Sequence, residues 1–478
     1  MRLFFKATLT IVAFFFFFVF AKKELNTLCF QPLINSMGGG KPIVLFNNKE
    51  LIPPFSPEIK DYQVYSATSL FPNTIQVDGE KKELVFNQIK KNQIVKIKIN
   101  NKKYTIHLYS DEMPFFHLNQ VKQSKTNNHI LLTPFDSSCQ KPSYLYIVSE
   151  KGKLLFYKRA DTEQCLSNFK QTVLPNGQIL YSYMQQEGEV PPYHFLSGSL
   201  VLLDEKFREI KKLKIKETDK HPELMVENHD SLILGKNHYV LTAYWDSEIF
   251  HPETEEPIFV TQTVIQEIKD GKVVFDWISS DHPKLYTYFK YPDKNLDQSY
   301  HDYMHFNSII IDPKDGHFIT SFASLNSIMK IHRKTGEIMW ILGGLGDEFD
   351  LPEKYRFYGQ HSLSITSDGF LMLFDNQSSS FAARIMKNFV QPKTSRILQF
   401  KLNELNKRLL IIKEIPIHFW TDTMGSVYET GKYTYLLSHG GNSSVSKVKV
   451  NNLKAELLWE MHLFDMPTYR AYEIKAIQ

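Results

Sequence analysis

A turn bearing glycine, followed at once by an apolar strand, returns through most of this 478-residue chain. It stands at Asn176-Gly177-Gln178-Ile179-Leu180-Tyr181-Ser182, at Gly235 to Thr242 and at Asp315-Gly316-His317-Phe318-Ile319-Thr320-Ser321. It stands again at Asp368-Gly369 to Phe374 and at Thr430-Gly431 to Ser438. Partner strands accompany these units at Ser199–Leu203, Ser327–Ile331, Ser395–Phe400 and Ser446–Val450. One such unit cannot bury both faces of its sheet alone, so units of this kind stack against one another. They recur at roughly 50 to 80 residues, wider than the ~40–50 of regular propeller blades, which leaves room for inserted loops. An opening unit at His129–Leu132 and Ser143–Ile147 brings the number to about six. No segment carries a helical period of useful length. The reading is therefore all-β, a six-bladed β-propeller over residues 125–478.

Ahead of it lie short alternating strands at Pro42–Phe46, Thr74–Val77, Ile94–Ile99 and Tyr104–Tyr109, with Asp78-Gly79 and Asn100-Asn101 at hairpin turns. These predict a small N-terminal β-sandwich over 42–120. Residues 22–41 read as a linker ending in Met37-Gly38-Gly39-Gly40. Arg2 and Lys6 precede an apolar run holding Phe14 to Phe18, and Val19-Phe20-Ala21 supplies small-enough residues at −3 and −1 for cleavage. Residues 1–21 thus read as a signal peptide, which implies a periplasmic or otherwise exported protein; an uncleaved N-terminal membrane anchor is the alternative. No second membrane segment follows. The net charge of +4 is scattered in pairs such as Lys90-Lys91 and Lys211-Lys212, with no basic stripe, which argues against nucleic acid as a partner. Three cysteines occur. In an oxidising compartment Cys139 and Cys165 can pair, with buried free thiols as the alternative, and Cys29 is left in the linker.

A propeller gathers the ends of its inner strands at one axial funnel, so chemistry-bearing residues far apart in sequence can meet. Three histidines stand at strand mouths: His229 in Glu227-Asn228-His229-Asp230, His305 in Tyr303-Met304-His305-Phe306-Asn307-Ser308, and His361 in Tyr358-Gly359-Gln360-His361-Ser362. An imidazole titrating near 6.5 can act as nucleophile or proton carrier near neutral pH. The blocks 301–344 and 357–376, the latter with Leu373-Phe374-Asp375-Asn376, resemble the core signature of the bacterial arylsulfate sulfotransferases. So does the late Met424-Gly425-Ser426-Val427 with Ser438-His439-Gly440.

That resemblance implies transfer of a sulfuryl group from an aryl sulfate donor to a phenol acceptor, with no nucleotide sulfate and no cofactor. It makes His361 the histidine that is transiently sulfated and His305 the acid–base partner. His229 and Asn307 would hold the sulfuryl oxygens. Tyr303, Phe306 and Phe357, beside the key histidines, are candidates to contact the aryl ring. A homodimer is compatible with the family. No metal-binding spacing is present.

One residue departs from the pattern. Where related sequences carry an arginine after the Ser321 strand, this chain reads Phe322-Ala323-Ser324-Leu325-Asn326, and the aligned position is Ala323. Losing one preorganised charge stabiliser typically costs 10²–10³ in rate. Arg356, Arg384 and Lys330 are the candidate replacements, with Arg384 in the polar insertion 377–394 preferred. A non-catalytic propeller that binds an anionic ligand or a surface partner is the alternative function.

Overall fold

The computed structural model describes residues 27–30, 42–51, 55–57, 60–67, 72–85, 93–110, 116–120, 122, 126–136, 138–141, 143–160, 164–188, 196–290, 301–386, 388–463 and 466–475. The expected signal peptide and most of the linker lie outside them. The chain divides into two units, Met1–Asp111 and Glu112–Gln478. Strands dominate both. The described α-helices are Lys284–Thr287 and Ser379–Ala382, each a single turn. No helix among the described residues is long and apolar enough to cross a membrane.

The first unit contains two four-stranded sheets. One pairs Leu28–Phe30, Gln93–Ile99, Lys102–Ser110 and Asp61–Ala67, and the other Lys49–Glu50, Val44–Phe46, Asn73–Val77 and Glu80–Leu84. Alternation explains their faces. Val95, Ile97 and Ile99 are buried along one strand while Lys96 is exposed. Each such buried aliphatic contributes about 1.5–3 kcal/mol. Two expected boundaries shift. Cys29 lies in a strand pairing in parallel with Ile97–Ile99, so the linker reading fails at 28–30. His117–Gln120, inside the expected sandwich bounds of 42–120, belongs to the second unit, where it pairs with Trp459–His462.

Among its described residues the second unit has six sheets of four or five strands. Within each, successive strands pair antiparallel, and three of the predicted glycine turns, at Gly177, Gly316 and Gly369, take φ between 73° and 83°. The first sheet is completed from the far end of the chain: Thr468–Ile474 pairs with His129–Pro134. The last sheet is completed from the near end by His117–Gln120. Cys139 and Cys165 are bridged (Cα–Cα 5.3 Å). They join the loop after the first sheet's strand His129–Pro134 to the start of the second sheet.

Candidate active site

Irregular pairing at the start of three strands shapes the centre. The ladder slips between Ser167 and Lys170, between Phe306 and Ser308, and between His361 and Ser364. Asn168 and Ser362 take positive φ there. Such bulges re-aim side chains at the ends of strands. The three histidines come together: the ring centroids of His229 and His305 are 5.0 Å apart, and Tyr469 lies 5.3 Å from His229 and 6.0 Å from His361. Tyr244 stacks against His305 at 5.9 Å.

Each imidazole has its own orienting partner. The Nδ1–H of His361 faces two acceptors, the Gly359 carbonyl at 2.8 Å and Asn376 Oδ1 at 2.9 Å. Asn376 Nδ2 donates to the carbonyls of Thr421 and Met424, which fixes Oδ1 toward the ring. Nε2 is therefore the nitrogen without a proton, as a nucleophile requires. Burial pushes the His361 pKa down to about 3, reinforced by the neighbouring His229 and His305, so the ring is neutral near pH 7.

His305 donates from Nδ1 to Asp302 Oδ2 at 2.7 Å, a carboxylate–imidazole pair of the kind that orients an acid–base histidine. His229 donates from Nδ1 to Glu227 Oε2 at 2.5 Å, and Glu227 also accepts the backbone amides of His229 and Asp230. Burial lowers the His229 pKa, opposed by Glu227 and assisted by His305 and Arg470.

Beneath them Asp230 ties the unit together. It accepts Arg470 at 2.9 Å, Ser308 Oγ at 3.2 Å and the Ile309 amide at 3.1 Å, and it pairs with Lys170. Burial raises its pKa, but the two cations more than offset that and hold it at about 2. Arg470 also donates to the Asn307 carbonyl at 2.7 Å and stacks on Tyr469. A cation thus reaches the centre, but it is already engaged by Asp230.

The other expected residues divide. Asn307 is fully buried; its Nδ2 donates to the Gln360 carbonyl, while its Oδ1 has no hydrogen-bond partner. Tyr303 and Phe306 pack into the apolar core, and the Tyr303 hydroxyl donates to Ser279. Phe357 packs so closely that a Cβ on Gly343 would sit 2.5 Å from its ring. All three rings are buried in the core. Lys330 is locked by Asp312, Asp315 and Glu404, and Arg356 is exposed. Arg384 alone among the three candidate cations touches the segment in question. Its guanidinium lies 3.3 Å from the Ser324 carbonyl and stacks on Phe289 and Phe381. Ala323, the preceding residue, donates its amide to the His305 carbonyl.

Sequence reasoning missed Glu227, Asp302, Tyr244, Tyr469 and Arg470. Asp302 and Glu227 sit three and two residues before their histidines, a spacing that could have suggested them.

Three imidazoles, each fixed by its own acceptor, thus meet in a nearly all-β unit of several antiparallel sheets. The chain belongs to the arylsulfotransferase (ASST) family, whose model matches residues 170–459. Membership implies arylsulfotransferase-like chemistry on small aryl substrates. No curated protein matches the chain. Among solved structures it is similar to a protein of unknown function from Bacteroides caccae, with 10% identity over 73% of this chain and 100% of that one, at TM-score 0.39. It is also similar to virginiamycin B lyase from Staphylococcus aureus (11%, 72% and 88%, TM-score 0.33) and to AztD from Citrobacter koseri (9%, 74% and 100%, TM-score 0.35).

Proposed function

We propose that this chain is an exported enzyme that moves a sulfuryl group from an aryl sulfate to a phenol through a sulfohistidine, with no nucleotide donor. In this reading the six sheets are blades of a propeller around the histidines, and the first unit is a β-sandwich. The observation that carries it is the His361 ring, neutral and held by Asn376 so that Nε2 keeps its lone pair.

Nε2 attacks sulfur, the N–S bond forms, and the S–O bond to the aryl group breaks. The departing phenolate takes a proton from His305. An acceptor phenol then gives its proton to His305 and attacks sulfur, and the N–S bond breaks. His229 donates to a sulfuryl oxygen only with a proton on Nε2; burial lowers its pKa despite Glu227, so that role depends on the negative charge of the bound sulfate restoring the imidazolium. Splitting one displacement into two predicts ping-pong kinetics. Arg384, beside the Ala323–Leu325 turn, supplies the positive charge that Ala323 lacks. The predicted leader at 1–21 and the Cys139–Cys165 bridge favour an oxidising compartment.

A second reading, an anion-binding propeller without turnover, is favoured by Ala323 and by the pairing of Arg470 with Asp230. Release of nitrophenol from p-nitrophenyl sulfate, with phenol as acceptor and a His361→Ala control, separates them. Phenol-dependent release lost in the control supports transfer. Release no faster than in the control, across several aryl donors, supports the binding protein.

A further inference from the structure

Away from the three central histidines, the last two sheets carry a second imidazole cluster. His418 follows strand Arg408–Pro416, His439 follows Thr434–Ser438, and Glu460 lies on Lys454–His462. Glu460 Oε1 is 3.6 Å from His418 Nε2 and 3.6 Å from His439 Nδ1, and its Oε2 is 3.5 Å from His462 Nε2. None of these is a hydrogen bond by length. They match another spacing: ligands 2.0–2.2 Å from a tetrahedral ion stand roughly 3.3–3.5 Å from one another. One ligand atom from each of His418, His439 and Glu460 lies within 4.8 Å of the others.

Two further features suit a metal. Ser446 Oγ hydrogen-bonds His439 Nε2 at 2.7 Å, and Ser444 Oγ hydrogen-bonds His462 Nδ1 at 2.9 Å. Each hydroxyl occupies one ring nitrogen and leaves the other aimed at Glu460, as outer-shell partners of metal-bound histidines do. Secondly, no lysine or arginine pairs with Glu460 among the described residues. The contrast is Asp312, Asp315 and Glu404, a comparable carboxylate group already filled by the ammonium of Lys330 at 2.5–2.7 Å.

We propose that His418, His439 and Glu460 bind one divalent transition-metal ion of the zinc class, with His462 placed to supply a fourth ligand. Imidazole and carboxylate donors suit such an ion better than Ca²⁺ or Mg²⁺, which take oxygen ligands. The site would clamp the loop 417–425. That loop also gives the Thr421 and Met424 carbonyls to Asn376, which orients His361.

The test uses untagged full-length protein stripped with chelator and titrated with Co²⁺. The expected result is one equivalent bound with the intense visible absorption of a four-coordinate site, and a raised melting temperature. His418→Ala, at an exposed position, and Glu460→Gln abolish the absorption. Ser446→Ala weakens affinity about 10–100-fold. A His305→Ala/His361→Ala double variant keeps the absorption. Absence of saturable uptake overturns the proposal. So does uptake that survives both His418→Ala and Glu460→Gln, or uptake lost only with the central histidines.

Discussion

The two imidazole clusters of the second unit have similar composition and opposite wiring. In the centre each ring has a private acceptor at hydrogen-bond distance: Glu227 at 2.5 Å, Asp302 at 2.7 Å and Asn376 at 2.9 Å. Where the last two sheets meet, three rings share one carboxylate at 3.5–3.6 Å, and two have their far nitrogens fixed by serines. Private acceptors set tautomers, which suits proton and group transfer. A shared carboxylate beyond hydrogen-bond reach suits an ion between the groups. Partner geometry, more than the count of histidines, separates the two roles.

The contrast can be broken in order of expected effect. His361→Ala should lower phenol-dependent nitrophenol release by about 10⁴-fold or more, as loss of a nucleophile does. Retention of turnover would remove the central cluster from the chemistry. Asp302→Asn keeps the shape but disturbs the His305 tautomer, and should cost about 10²–10⁴ in kcat with circular dichroism unchanged. A change confined to KM would reassign Asp302 to binding.

Arg470→Met strands Asp230 with Lys170 alone, and denaturant unfolding should show a loss of about 3–5 kcal/mol. Arg384→Met should cost about 10²–10³ in rate if its charge serves the sulfuryl oxygens. A rate within twofold of wild type would show that Arg384 only packs on Phe289 and Phe381.

The pH dependence is the gentlest probe. The pKa of His361 is depressed from 6.5 to about 3 in the folded protein, so below pH 6.5 the unfolded chain binds the extra proton. The stability from this neutral ring is complete above 6.5 and declines as pH falls toward 3, by at most about 1.4 kcal/mol per pH unit. Urea midpoints between pH 7 and 4 measure it. His361→Gln should flatten that slope.

Much of this was readable in the chain. Glycine turns at 177, 316 and 369 have few backbone solutions, so each announced its hairpin. His305 and His361 stood at the starts of the strands that lead into the Gly316 and Gly369 hairpins, and His229 ahead of the strand that leads to Gly235. What escaped depended on pairing between distant segments. Tyr469 and Arg470 reach the centre because Thr468–Ile474 joins the first sheet, and no local pattern encodes that partnership. Tyr303 and Phe357 lie buried in the core although they adjoin the histidines, because adjacency in sequence does not set which face of the backbone a ring takes. The strand at 28–30 was missed because three residues in a polar stretch carry no period.

The pairing of Thr468–Ile474 with His129–Pro134 also sets a timetable. The strand that delivers Tyr469 and Arg470 is synthesised after every other sheet has its strands. Until it docks, Asp230 lacks one of its two cations and the floor under His229 and His361 is missing. The first sheet must wait with an open edge for a partner 345 positions away, a slow closure with a high entropic cost. The Cys139–Cys165 crosslink can form before that moment, holding the waiting edge against its neighbour. Competence would then arrive in one late step, and a chain stalled short of it would carry all three histidines and no working site.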